Sequence, residues 1–283
     1  MKHAIDTSSI SFTALYTGQV WVRHGLAEPF FHTRKGALLY RALTPLEAAS
    51  KRLLGGTIRT FLLQRHALLD ARLEALIERH PDLQVVEIAC GLSPRGCRFR
   101  ERYPALTYVE ADLPDMARRK RRLLARRGYL GPNHRVEAVN ILAENGALSV
   151  ASLLQRLDPA RPVAVITEGL VNYFALATIT PFWRRLAGAL GAFPHGVYLA
   201  DNYPLHAQQR FQRTLRALAG VLGAVSRSQV AFHFQSDSQT RDHFLALGFG
   251  QVRVHDPADH YGTLPIPRST GTPMVRIIEA TRA

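Results

Sequence analysis

The chain has 283 residues, 47% hydrophobic and 20% charged, which suits one α/β domain with an appendage and excludes wholesale disorder. A formal net charge of +14 raises nucleic acid or an acidic substrate as partners. The two cysteines, Cys90 and Cys97, are too close for a disulfide framework, no His cluster stands at metal spacing beside them, and no uncharged apolar run is long enough for export or a bilayer, so a reduced, cytoplasmic protein without metal or membrane partner is expected.

Residues 8–40 hold few charges and six large rings, Phe12, Tyr16, Trp21, Phe30, Phe31 and Tyr40, as a covering segment would. Thr44-Pro45-Leu46-Glu47 reads as a capping box with Pro at the first helical position, and Gly55-Gly56 interrupts the helix it starts. A second helix is predicted from Thr57 to His80, with Phe61, Leu62, Leu68, Leu69, Leu73 and Leu76 on its apolar face and Pro81 as its stop. Both precede the first strand, so residues 1–81 are expected to form a helical cap on a core of residues 82–283. Strands are predicted at Leu83–Ile88, Leu106–Glu110, Val136–Val139, Val163–Thr167, Gly196–Ala200, Gln251–His255 and Met274–Glu279, with helical segments between them, the signature of a parallel sheet. Val225–His243 shows no clear period.

The first strand runs into a loop whose small residues, Ala89, Gly91 and Gly96, let backbone amides approach a ligand at the strand's carboxyl end. Glu87 sits inside that strand end. A carboxylate there repels a pyrophosphate and attracts an amine, which suits S-adenosylmethionine better than a dinucleotide. About twenty residues on, Asp112 stands where an acid binds a ribose diol, with Glu110 as the alternate. The third strand closes on Asn140, whose amide suits an adenine edge, and Ile141, which suits the ring face. Glu168, at the end of the fourth strand, is a carboxylate that burial makes expensive unless it meets a cation. Much of the excess positive charge lies in Arg118-Arg119-Lys120-Arg121-Arg122 with Arg126 and Arg127, read as a solvated surface helix that packs away from the reaction.

The Gly loop with Arg95 behind it, Val109-Glu110-Ala111-Asp112-Leu113-Pro114 followed by Arg119-Lys120, and Thr167-Glu168-Gly169-Leu170-Val171-Asn172-Tyr173-Phe174 together resemble the leucine carboxyl methyltransferase family, which includes bacterial polyketide O-methyltransferases. Ser11-Phe12-Thr13-Ala14, and Arg65 with Asp70, extend the likeness, which covers residues 11–201 in the family's order. The resemblance implies a class I methyltransferase fold, a Rossmann-like seven-stranded sheet with helices on both faces and an N-terminal helical cap. S-adenosylmethionine would be its methyl donor and S-adenosylhomocysteine its product. Carried over residue by residue, it puts Arg65 on the cofactor's carboxylate, Ala89 and Gly91 at its methionine part, Asp112 on its ribose, Asn140 and Ile141 beside adenine, and Glu168 near its amino end; Glu87 and Arg95 join this set. The family usually has Gly where Ala89 stands, Asp-Thr-Arg where Ser93-Pro94-Arg95 stands, and Asp-Leu where Asn140-Ile141 stands.

Methyl transfer is an in-line displacement, so positioning and water exclusion matter most. A carboxylate acceptor needs no base; a phenol does. His24, His206, His233 and His260 lie outside the cofactor core, and Tyr173 follows Glu168; of these, Tyr173 and His24 are the catalytic candidates. Tyr16, Trp21 and Arg23, with His24, would line an acceptor pocket, where Arg23 could clamp an acid. The expected function is an O-methyltransferase for a carboxylate or hydroxyl of a small-molecule or carrier-protein-bound, polyketide-like acceptor. A nucleic-acid methyltransferase is disfavoured, because no Asn/Asp-Pro-Pro-aromatic motif follows the fourth strand; a catalytically silent cofactor-binding protein is the other alternative.

Overall fold

The computed structural model describes residues 7–54, 56–205 and 231–282, and side chains from residue 14 onward outside 46–54. Three helices come first: α1 (Thr7–Arg23), α2 (Arg34–Leu54) and α3 (Ile58–Arg79). The strands are β1 (Gln84–Ile88), β2 (Thr107–Asp112), β3 (His134–Ala138), β4 (Val163–Thr167), β5 (Gly196–Asn202), β6 (Gln251–His255) and β7 (Arg276–Arg282). Between them lie α4 (Arg95–Arg102), α5 (Pro114–Ala125), α6 (Val150–Leu154), α7 (Leu176–Leu190) and α8 (Asp237–Ala246). The strands form one sheet in the order β3-β2-β1-β4-β5-β7-β6. The order reverses direction between β1 and β4, and at such a switch point the loops diverge and leave a crevice at the strand ends.

Within the sheet the pleat separates two kinds of interior. Val86, Ile88, Val109, Ala111, Val163 and Val165 face α6, α7 and α8 in a cluster without a charge, filled by Phe182, Trp183 and Phe244. On the opposite face Val85, Tyr108, Ala164, Ile166, Val197 and Leu199 pack under Leu68, Leu69, Leu73 and Leu76 of α3. That second face also carries Glu87 and Glu110, which stand opposite each other in the β1–β2 register. All the buried charge of the central strands is thus on the side of α3, α4 and α5.

Two expectations change. The sheet is mixed, because β7 lies between β5 and β6 and runs antiparallel to both. The Thr44–Pro45 box starts no helix: α2 begins at Arg34, and Thr33 Oγ1 accepts from Gly36 N–H (3.0 Å). Pro45 lies on the exposed side of α2, and Thr44 Oγ1 donates back to Tyr40 O (2.7 Å), so the helix absorbs the missing N–H at its solvent face. Thr57 is the real cap, of α3, with a reciprocal box through Thr60. Within residues 1–81, α3 buries its apolar face on β5 and β7.

Candidate active site

β1 ends in a turn held by backbone geometry. Ala89 has φ +55° and Gly91 φ +47°, both left-handed. For Ala89 this conformation costs about 1–2 kcal/mol, which explains why glycine suits that position. Asp112, the last residue of β2, points its carboxylate at this loop: Gly91 N–H donates to Oδ2 (2.8 Å) and Leu113 N–H to Oδ1 (2.7 Å). Burial raises the Asp112 pKa, and the two N–H groups only partly oppose it. Each oxygen keeps a lone pair, so a diol hydroxyl could still be accepted. The α1 helix lies directly over the loop, with Gly18 giving Leu92 room at 3.2 Å from where a Cβ would stand.

A web of charges fills the floor at the β1/β4 switch point. Arg95, fully buried, donates through Nε to Asp70 (2.5 Å), through Nη1 to Glu87 (2.5 Å) and through Nη2 to Glu168 (2.6 Å). Tyr108 Oη donates to the other oxygen of Glu87 (2.8 Å). Arg65 reaches the same Glu168 from α3 through Nε (2.9 Å) and meets Asp201 Oδ2 through Nη1 (3.3 Å). His66 Nδ1 lies 2.9 Å from Glu168 Oε2, and Trp21 of α1 stacks on its ring with centroids 4.2 Å apart. Burial would raise the Glu168 pKa, but His66, Arg95 and Arg65 outweigh it and hold the carboxyl well below the usual range. Asp201 is pushed up by burial, against Arg65 and the Gly169 N–H that donates to it (2.6 Å).

Two features aim this web outward. Arg65 makes no hydrogen bond through Nη2 among the described residues; that nitrogen lies beside Gly169, 3.0 Å from where a Cβ would stand. Gly169 has φ +65°, so both backbone and space call for glycine. The four carboxylates Glu87, Asp70, Glu168 and Asp201 face three guanidiniums, Arg65, Arg95 and Arg98, which leaves one negative charge for a cationic ligand to meet.

Glu110, the alternate ribose acid, is excluded from the crevice. It is fully buried, ion-paired with Lys120 of α5 and 2.8 Å from His134 Nε2. Lys120 also donates to Ser93 O (2.8 Å), so it staples the Gly loop to β2. Gly96 serves the same packing: a Cβ there would stand 2.8 Å from Glu110 Cδ, so this glycine seats α4 rather than a ligand. The basic run therefore departs from a wholly solvated helix, with Ala117, Lys120 and Leu124 turned inward.

The other sequence candidates divide. Glu87 and Arg95 spend their polar atoms on each other and their neighbours, which leaves them beneath the crevice rather than lining it. Asn140 Oδ1 accepts from Leu142 N–H (3.0 Å) and shapes its own turn, while its Nδ2 makes no hydrogen bond among the described residues; Ile141 packs into the uncharged cluster. Tyr16 and Trp21 are buried under α2 and α3, but Arg23 and His24 are exposed at the far end of α1, with Arg23 over the Tyr40 ring, so they do not gather with Tyr16 and Trp21 into one pocket. Tyr173 is half-buried in the turn after β4. Nε2 of His233 lies 2.9 Å from Phe174 O, His260 lies by β6, and His206 is outside the described residues. His66 and Asp201 were not singled out from sequence as site residues. Signals existed: His66 stands four residues before Asp70 on one helix face, and Asp201 is an acid at a buried strand end, as Glu168 is.

Among the described residues no helix is long and apolar enough to cross a membrane, and no His/Cys/Asp/Glu group could hold a metal. Cys90 and Cys97 are free and buried, and burial pushes both thiols up.

Comparison with solved structures supports this fold. A Thermobifida fusca protein described as a methyltransferase superposes with a TM-score of 0.62 at 14% identity, covering 98% of this chain and 95% of that one. A Streptomyces avermitilis protein gives 0.60 at 13% identity, over 96% and 97%. PigF, solved with SAH, gives 0.50 at 15% identity, over 98% and 71%. In sequence, leucine carboxyl methyltransferase 1 of Eremothecium gossypii is 31% identical over 125 residues, 37% of this chain and 38% of that protein. An S-adenosyl-L-methionine-dependent methyltransferase, so described, of Mycolicibacterium paratuberculosis is 33% identical over 125 residues, 43% of this chain and 39% of that one. The matches thus span about four-tenths of those relatives. The leucine carboxyl methyltransferase family itself matches residues 18–182, more than half of the chain and all of the crevice described above except Asp201, so the chain belongs to that family.

Proposed function

We propose that the chain is an S-adenosylmethionine-dependent O-methyltransferase acting on a carboxylate or hydroxyl of a small-molecule or carrier-bound acceptor. Asp112 carries the reading: a half-buried acid at the end of β2, held by Gly91 N–H against a left-handed turn, is the arrangement that binds a ribose beside a Gly loop. The Nη2 of Arg65, which makes no hydrogen bond among the described residues, and the surplus negative charge around Glu168 fit the two ends of an amino acid, a carboxylate and an ammonium. S-adenosylmethionine supplies a methyl group on a sulfonium, and PigF, with the same fold, was solved with SAH.

In this reading Asp112 holds the ribose, Arg65 orients the cofactor's carboxylate, and the amide of Asn140 donates to adenine. Arg95 and Glu87 keep Glu168 and the Gly loop in place from beneath. α1, which lies over the loop, excludes water from the crevice, as an in-line displacement requires. A carboxylate acceptor, the choice the family's name favours, is nucleophilic without a base; Tyr173, in the turn after β4, is the candidate should a hydroxyl need one. Labelled methyl transfer to a panel of carboxylic acids and phenols tests the reading. Incorporation into acids, lowered about tenfold or more in Asp112→Ala at sub-saturating cofactor, is expected; a folded protein that binds neither S-adenosylmethionine nor S-adenosylhomocysteine would overturn it.

A further inference from the structure

The Arg-rich helix borders a second cavity, of about 520 Å³, on the outer side of α5. None of Arg65, Asp112, Asn140 or Glu168 lines it; its nearest approach to the cofactor loop is Leu92. One wall is apolar, made by Phe30, Phe31, Leu92 and Leu123. The other is Arg118, Arg119, Arg122 and Arg126, of which Arg118, Arg122 and Arg126 follow at four-residue intervals along one stripe of the helix. The acid in the lining, Asp115, is already ion-paired with Arg118. Arg119, Arg122 and Arg126 are exposed, and their guanidinium groups have no hydrogen bond or ion pair among the described residues. Arg127, just outside, lies over the Phe30 ring at 5.3 Å and adds to the positive field.

Like charges three and four residues apart disfavour a helix unless an anion lies between them. Guanidinium forks match phosphate oxygens two at a time, and a cavity of this size falls in the range that holds a small organic ligand. A bare surface for a nucleic-acid backbone would need the arginines but not the enclosed aromatic wall. We infer that this cavity binds a small organic phosphate, its dianion on Arg119, Arg122 and Arg126 and its apolar body against Phe30, Phe31 and Leu123. The inference is independent of the methyl-transfer reading, because the site shares no ligand residue with the crevice.

Calorimetric titration of the full chain with phenyl phosphate, inorganic phosphate and a single-stranded DNA oligonucleotide, all at one ionic strength, tests it. Phenyl phosphate should bind roughly tenfold tighter than inorganic phosphate, because only it buries an apolar face. Arg122→Ala should weaken that binding about fivefold or more, the loss of one charge-assisted pair. Arg241→Ala, on the exposed side of α8, should leave it unchanged, and equal melting temperatures for the two variants would exclude misfolding. Equal affinity for the two phosphates, indifference to Arg122→Ala, or no binding at millimolar concentration would overturn the inference. Oligonucleotide binding that is tighter than phenyl phosphate and falls steeply with salt would overturn it in favour of a nucleic-acid surface.

Discussion

Two buried charge clusters lie side by side on one face of the sheet, each joining carboxylate, cation and histidine, yet they differ in how fully their charges are answered. Glu110, Lys120 and His134 are sealed between α4, α5 and the sheet, every charge answered by a neighbour. Arg65, His66, Glu168 and Asp201 sit at the strand ends, where one guanidinium nitrogen and one negative charge are left over among the described residues. Glu87 and Arg95 join the β1 floor to the second cluster. What separates the two clusters is the position along the strand: an acid two residues before the strand's end is overlaid by the next helix, whereas an acid at the end opens on the crevice.

Removing the cations breaks the comparison most sharply. Arg95→Met leaves Glu87, Asp70 and Glu168 short of a buried partner and should cost about 3–5 kcal/mol, read as a fall in the denaturant midpoint, with cofactor binding lost alongside. Lys120→Met should cost a similar amount, about 3–5 kcal/mol, by stranding Glu110. At temperatures where that variant is still folded, its cofactor affinity should change far less than that of Arg95→Met. If Lys120→Met instead lost affinity and kept its stability, the division between the clusters would be mistaken.

Asp112→Ala should do the reverse, with little change in stability and cofactor affinity lower by about 1–3 kcal/mol, tenfold or more, measured by titration. Its pH dependence separates the clusters again. Glu168, Asp70 and Glu110 have lowered pKa values, and Glu279, bound by His255 and Arg72, is held down to about 2 despite burial. Their stabilisation is fully present above the ordinary carboxylate range, about pH 4–5, and is lost as pH falls through the lowered values. Asp112, raised by burial, takes up its proton at a higher pH than an ordinary Asp. Cofactor affinity should therefore decline on acidification before stability does, seen by titration and thermal melts over one pH series. The smallest effect concerns Ala89: relief of its left-handed strain in Ala89→Gly should exceed the added chain entropy and raise stability by about 0.5–1 kcal/mol.

Much of this was legible in the sequence. Apolar runs at strand length placed all seven strands to within a few residues, and Asp112 and Glu168 stood out because an acid at a buried strand end needs a reason. The sealed cluster was not legible, because nothing local says that Lys120, inside an Arg-rich run, turns inward to Glu110; that depends on the packing of α5 on β2. Gly96 misled for a related reason. Its lack of a side chain serves the approach of α4 to Glu110, which sequence cannot distinguish from the approach of a ligand. Arg23 and His24 were drawn toward a pocket by their neighbours Tyr16 and Trp21, but the turn of α1 that buries those rings exposes the two residues after them.

The most direct test of the account is calorimetric titration of the wild-type chain with S-adenosylhomocysteine beside Asp112→Ala and Arg122→Ala. The crevice account predicts micromolar binding by the wild type, a loss of about tenfold or more in Asp112→Ala, and no change in Arg122→Ala. Absence of binding by the folded wild type, or equal binding by Asp112→Ala, would contradict it.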